Sequence, residues 1–231
     1  WELFDLRNDF SLSKNLAKEN PKKLNEMIEV FMEQAVENHV LPLDTRLLDR
    51  MDAKTAGRID LMDGRTSLTV FPGMIGMAED TFLNVKNTSS RVTAVVESPT
   101  GEEANGVILA QGGSHSGWAL YVTDGYPAFT YNFLQHQITS LKSSERLPNG
   151  RSTITYTFDY DGGGRGKGGT AILAVNGNEV ARARIERTIM NAYTVDETTD
   201  VGVDLSTQVA QNIFPTATDA LFTGLIQQVT G

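Results

Sequence analysis

The sequence predicts a mainly β protein, an antiparallel jelly-roll sandwich preceded by a short strand-and-helix segment. Three observations predict it. From about Ser67 onward the chain is a succession of short runs rich in β-branched and aromatic residues. Gly, Asn, Asp and Pro separate these runs at short intervals, and no helical apolar period appears among them. Strand following strand without crossover helices requires antiparallel pairing, which two packed sheets satisfy.

In chain order, residues 1–44 come first. WELFDL reads as a strand already under way, so a piece of a longer protein is expected. Asn20 is placed to cap a helix, with Pro21 at its first position, where a missing N–H costs nothing. Leu24, Met27, Ile28, Phe31, Ala35 and Val36 then recur at the i, i+3, i+4, i+7 spacing of one buried face, and Pro42 closes the helix. Residues 45–66, TRLLDRMDAKTAGRIDLMDGRT, form the expected connector. The sandwich, residues 67–231, is read from TFLNVKN, RVTAVVES, GVILAQ, WALYVTD, PAFTYNF, STITYTFDY, TAILAVNGNEVARARIE and FTGLIQQV. Asp124-Gly125 and Asn176-Gly177 each join two of these runs, supplying the positive-φ residues of a tight hairpin turn.

Composition narrows the function. With 231 residues, 40% hydrophobic and 21% charged, the chain is an ordinary folded protein with a sizeable core. A net charge of −9 argues against nucleic acid, whose phosphates need clustered Lys and Arg. The chain has no cysteine, so disulfides, thiol nucleophiles and thiolate metal sites are excluded. No apolar run approaches the roughly 20 residues of a membrane-spanning helix, so no membrane partner is expected. The compartment stays open, with the bacterial cytoplasm or periplasm expected.

The glycine run YDGGGRGKGGTAILAV matches G-x-G-x-x-G by spelling at Gly164, Gly166 and Gly169. A phosphate loop must open a helix, whereas TAILAVNG is a strand running into a hairpin, so the glycines serve backbone shape. Arg165 and Lys167 within it remain candidates for ligand contact or for a salt link to the acidic stretch DETTDVGVD. In that stretch Asp196, Asp200 and Asp204 are weak candidate metal ligands, at a spacing unlike an EF-hand loop. Trp118, Tyr121 and Tyr131 are candidates for a sugar-binding face, against the plainer reading that they are core. GGSHSGW lacks the glycine pattern of a nucleophile elbow, and His39 and His136 have no partners at metal spacing. Asn87-Thr88-Ser89 is a sequon that matters only in a secreted, glycosylated protein.

Taken together, these residues resemble the C-terminal portion of an arylsulfatase-type sulfatase of the alkaline phosphatase superfamily. The pattern W-E-L-[YF]-[DN]-L-x-x-D-x-x-x-x-x-[DN]-L-A is met by Trp1, Glu2, Leu3, Phe4, Asp5, Leu6, Asp9, Asn15, Leu16 and Ala17. The glycine run, DETTDVGVD and FTGLIQQV resemble the extra C-terminal domain of one subgroup. That resemblance implies a parent that hydrolyses sulfate esters with a formylglycine and a calcium ion. Neither group is carried by this chain, which has no cysteine and no proline followed two residues later by arginine. The chain is therefore expected to be catalytically silent. It would be an accessory region acting in structure, substrate access or oligomerisation, with a catalytic domain of the same polypeptide and copies of itself as partners. Gly117, Trp118, Leu120 and Gly125, with Phe222 and Gly224, also resemble the concanavalin/laminin-G type of sandwich. This second resemblance implies the alternative function, a carbohydrate-binding module.

Overall fold

A computed structural model describes residues 1–43, 45, 53 and 55–231. Much of the expected connector, 46–52 and 54, therefore lies outside the described residues. Two compact units are present, Trp1–Ile59 and Asp60–Gly231.

In the first unit the expected helix forms as α1, Pro21–Glu37, with Pro at its start. Asn20 stands at the cap, but its side chain makes no capping bond; its carbonyl accepts the Leu24 N–H at 3.1 Å. Of the α1 residues only Ala35 is buried, and Trp1 packs edge-on against Phe31 at 5.2 Å. The expected strand WELFDL does not form. Leu3 spends its backbone groups locally: its N–H donates to Asn15 Oδ1 at 3.2 Å, and its carbonyl accepts the Leu16 N–H at 2.7 Å. Asp9 holds the turn between them, accepting from the Ser13 and Lys14 amides at 2.9 and 2.7 Å. Those backbone bonds, with the Ser13 hydroxyl, bring its carboxyl down to about 2.

The second unit is the sandwich. Its strands are β1 Thr69–Val70, β2 Ser90–Glu97, β3 Gly106–Gly112, β4 Gly117–Thr123, β5 Tyr126–Phe133 and β6 Gln137–Lys142. The rest are β7 Arg151–Tyr160, β8 Gly169–Val175, β9 Asn178–Ile185, β10 Thr199–Val201 and β11 Leu225–Thr230. They form two wholly antiparallel sheets, ordered β1-β11-β2-β7-β8-β9 and β10-β3-β4-β5-β6, a jelly-roll sandwich. Both expected hairpins are made with positive φ at each turn residue: 53° and 80° at Asp124-Gly125, 50° and 84° at Asn176-Gly177.

TFLNVKN is the run that fails as a strand. It begins in a 3₁₀ turn, Glu79–Thr81, and then buries Phe82 and Leu83 side by side. Two consecutive buried side chains cannot both face the core from one strand, so the segment plugs the sandwich instead. Strands β1, β6 and β10 were not among the expected runs; two of them are only two or three residues long and owe their state to a partner.

Between the sheets lies the main core. Phe129 of β5 stacks on Tyr156 of β7 at 3.6 Å, and Trp118 stacks on Phe129 at 6.0 Å. A second, smaller core lies on the far side of the five-stranded sheet. There a strap without helix or strand, residues 205–221, lays Val209, Ala210, Phe214 and Ala220 on Val107, Ala110, Ala119, Tyr121 and Ala128.

Candidate functional site

The three candidate aromatics are all buried, at 3% for Trp118, 1% for Tyr121 and 5% for Tyr131. Alternation along β4 sends Trp118 and Tyr121 to opposite faces. Trp118 faces Tyr131 across the β4–β5 pair on the inner side and donates its Nε1–H to Gln111 Oε1 at 3.1 Å. Tyr121 lies under the strap, edge-on to Phe214 at 5.4 Å, its hydroxyl 2.9 Å from Thr130 Oγ1. None of them offers a ring face to solvent, which a sugar-stacking platform requires.

Trp118 and Tyr131 instead help to line a cavity of about 20 Å³ at one end of the sandwich, beside Lys86, Tyr156 and Tyr193. That is room for a single water-sized group, not for a sugar ring. Lys86 is ion-paired there with Glu79 in a nearly buried position, and its Nζ lies 5.1 Å from the Tyr193 ring centre. Glu79 also accepts the Tyr193 N–H at 2.8 Å. Tyr131 accepts the Ile189 N–H at 2.8 Å, and burial pushes its phenol up to about 12. No spacing in the sequence announces this cluster, because residues 79, 86, 131 and 193 meet only through the fold.

Arg165 and Lys167 sit elsewhere, in the 161–168 loop between β7 and β8. Gly162, Gly163, Gly164 and Gly166 all have positive φ there, and β8, not a helix, follows. Tyr160 organises the loop: its hydroxyl donates to the Gly164 carbonyl at 2.5 Å and accepts the Lys167 N–H at 2.9 Å. A Cβ at Gly168 would fall on the Ile185 carbonyl. Arg165 donates to Asn191 Oδ1 at 3.3 Å, not to a carboxylate of the acidic stretch. The sequon residue Asn87 is also engaged, accepting the Gly166 N–H at 2.8 Å and donating to the Met190 carbonyl at 2.7 Å.

The three candidate aspartates part company. Asp196 is exposed and takes a local bond from Thr194 Oγ1 at 2.6 Å. Asp200 and Asp204 are buried, and Glu197, which sequence reasoning passed over, is the third carboxylate beside them. Among the described residues no group of three or more His, Asp or Glu side chains is placed to hold a metal ion.

A far larger concavity, about 890 Å³, opens between the 60–67 segment, the 83–93 segment and the chain's last residues. Seven of its fifteen lining residues are Ser or Thr, and Leu83, Val85, Arg65 and Arg91 are among the others. Both arginines are exposed, and among the described residues neither forms an ion pair. This is the size range of a small-molecule site, with a lining of hydroxyl donors and acceptors. Sequence reasoning missed it because its walls come from both ends of the sandwich unit.

Among the described residues no helix is long and apolar enough to cross a membrane. No family model matches the chain, and no curated protein matches it, so the sulfatase resemblance has no support from either comparison. Solved structures do resemble it. The Ruminococcus gnavus IT-sialidase CBM40 bound to α2,3-sialyllactose is 13% identical, covering 62% of this chain and 74% of that one, with a TM-score of 0.43. Domains LG4-5 of the mouse laminin α1 chain are 15% identical over 71% of this chain and 37% of theirs, with a TM-score of 0.43. The leech intramolecular trans-sialidase is 11% identical over 71% of this chain and 24% of its own, with a TM-score of 0.45. Likeness at this level carries nothing about ligand, and the architecture rests on the strand pairings above. The chain is a mainly β, two-sheet antiparallel sandwich.

Proposed function

We propose that the Asp60–Gly231 unit is a carbohydrate-binding β-sandwich module and that its site is the open groove. The observation that carries this reading is the lining: seven hydroxyl side chains and two exposed guanidinium groups around a concavity of about 890 Å³. A polyol needs many short hydrogen-bonding partners that both donate and accept, which Ser and Thr supply. Arg65 and Arg91 add planar forks suited to a carboxylate or sulfate substituent on such a ligand. Trp118, Tyr121 and Tyr131, being buried, take no part in ligand contact on this reading. Titration calorimetry of the whole chain against neutral and acidic oligosaccharides tests the proposal. Binding that drops at least tenfold in both Arg65→Ala and Arg91→Ala supports it; absence of binding to every sugar at millimolar concentration sinks it.

A second reading is the accessory region of a sulfate-ester hydrolase. It is favoured by the pattern carried by Trp1 to Ala17 and by the apolar surface of the first unit. That unit exposes Trp1, Leu6, Phe10, Met27, Val30 and Val36, as a segment packing on another domain would. On this reading the chain alone does not turn over an aryl sulfate with calcium present; measurable turnover overturns it.

A further inference from the structure

The most anomalous group in the sandwich is Asp204, which is 1% exposed. Its Oδ2 accepts the Val209 N–H at 2.8 Å, while its Oδ1 is buried with no hydrogen-bond partner. Its neighbour Asp200 is equally buried but fully engaged. It accepts from the Gly76 N–H at 2.7 Å, the Thr198 hydroxyl at 2.9 Å and the Leu205 N–H at 3.3 Å. Glu197 takes the Thr207 hydroxyl at 2.6 Å. Leu205, Thr207 and Val209 all belong to the strap, so three carboxylates hold its root. Gln208 tightens the same turn, donating to the Asp204 and Ser206 carbonyls at 3.1 and 3.2 Å.

An anion at Asp204 would be costly. Removing a carboxylate from water is unfavourable unless a cation or several donors replace the water. The charged groups that act on Asp204 are Asp200, on β10, and Glu197, just before it, and both oppose its ionisation. The strap carries no charged residue before Asp219, which is occupied with Thr216, and the 71–78 loop carries none at all. His115, on the 113–116 loop that touches Thr207 through Ser114, is exposed to solvent. Burial, with the repulsion of Asp200 and Glu197, pushes the Asp204 carboxyl up to about 8.

We propose that seating the strap on the five-stranded sheet is coupled to uptake of one proton by Asp204. Seated, the side chain is the neutral acid; released, it is solvated and loses its proton to water. Acidification therefore tightens the strap and a rise toward pH 8 loosens it, uncovering the face that carries Tyr121, Ala110, Ala119 and Ala128. The opening constant of the strap rises by up to about tenfold per pH unit between about pH 5 and 8 and levels off above that.

Amide hydrogen exchange on the whole chain, corrected for the intrinsic pH dependence of exchange, reads this directly. The Leu205 and Val209 amides should lose protection as pH rises from 5 to 8 while β3, β4 and β5 keep theirs, and Asp204→Asn should abolish the pH dependence. Strap protection that follows the sheet at every pH, or an unchanged pH dependence in Asp204→Asn, overturns the proposal. If that variant does not fold, ¹³C-carboxyl NMR of the unmodified chain decides: titration of Asp204 near pH 8 supports the latch, and titration below pH 5 overturns it. Calcium or magnesium chloride that moves the Asp204 signal at pH 7 and removes the pH dependence overturns it in favour of a cation.

Discussion

The two sheets obey the same pairing rules and live in different surroundings. Along β7 and β8 burial alternates residue by residue, so one face of the six-stranded sheet meets the core and the other meets water. Every residue of β3 and β4 is buried, because the five-stranded sheet is covered on one side by its partner sheet and on the other by the strap. The composition follows the surroundings. STITYTFDY interleaves threonines with core side chains, whereas GVILAQG and GWALYVT are nearly continuous apolar runs with small residues beneath the strap. An antiparallel sheet can thus take the doubly covered state usual for parallel sheets, provided that a loop supplies the second cover. That difference also bears on the site proposed above. Strands β3 and β4 of the covered sheet have no accessible face, and the open groove reaches the six-stranded sheet through Arg91, Thr93 and Thr230.

The sharpest way to break the comparison is at the joint between the sheets. Phe129→Ala removes the ring stacked on Tyr156 and Trp118 and should cost about 3–5 kcal/mol, read as a fall in the denaturant midpoint. Phe214→Ala, on the strap side, should cost about 2–3 kcal/mol, less than Phe129 because the strap can settle into the space. Equal losses would mean that the strap packs as rigidly as the main core.

A third test concerns pH. The folded chain holds the Asp204 proton up to about pH 8, and an unfolded chain holds it only to about pH 4. The raised value of this acid therefore makes global stability fall as pH rises between those limits, by at most about 1.4 kcal/mol per unit. Asp204→Asn should be more stable than the parent at pH 8, with the gap closing toward pH 4 in thermal melts. A gap independent of pH would place the effect in packing alone.

Smaller effects belong to the open sheet. Gly177→Ala, at φ 84° in the β8–β9 turn, should cost about 1 kcal/mol, since a Cβ there disfavours the left-handed conformation. Arg182→Ala breaks only an exposed pair with Glu179 at 2.7 Å and should leave the melting temperature unchanged within error.

How much of this was legible varied with distance along the chain. The Asp124-Gly125 and Asn176-Gly177 turns, the strands on either side of them and α1 were readable because each depends on a handful of adjacent residues. WELFDL was misread because its apolar pattern is strand-like, yet Asn15 and Leu16 take up the Leu3 backbone groups that a ladder would need. TFLNVKN was misread because β-rich composition does not reveal that Phe82 and Leu83 both plug the core. The groove and the strap were invisible for a different reason: each joins segments far apart in the chain, residues 60–67 with 230–231 in the groove and Phe214 with Tyr121 under the strap.

By itself, then, the sequence determined the alternation, the turns and the exclusions. Positive-φ positions and period-two burial are written within a few residues, and a chain without cysteine cannot carry thiol chemistry. Only the tertiary structure decided which face each aromatic took and which carboxylate was left without a partner. Those outcomes depend on what covers a sheet. The strap that buries Tyr121 and isolates Asp204 meets the sheet only through the fold, because residues 205–221 lie many tens of residues beyond the strands that they cover.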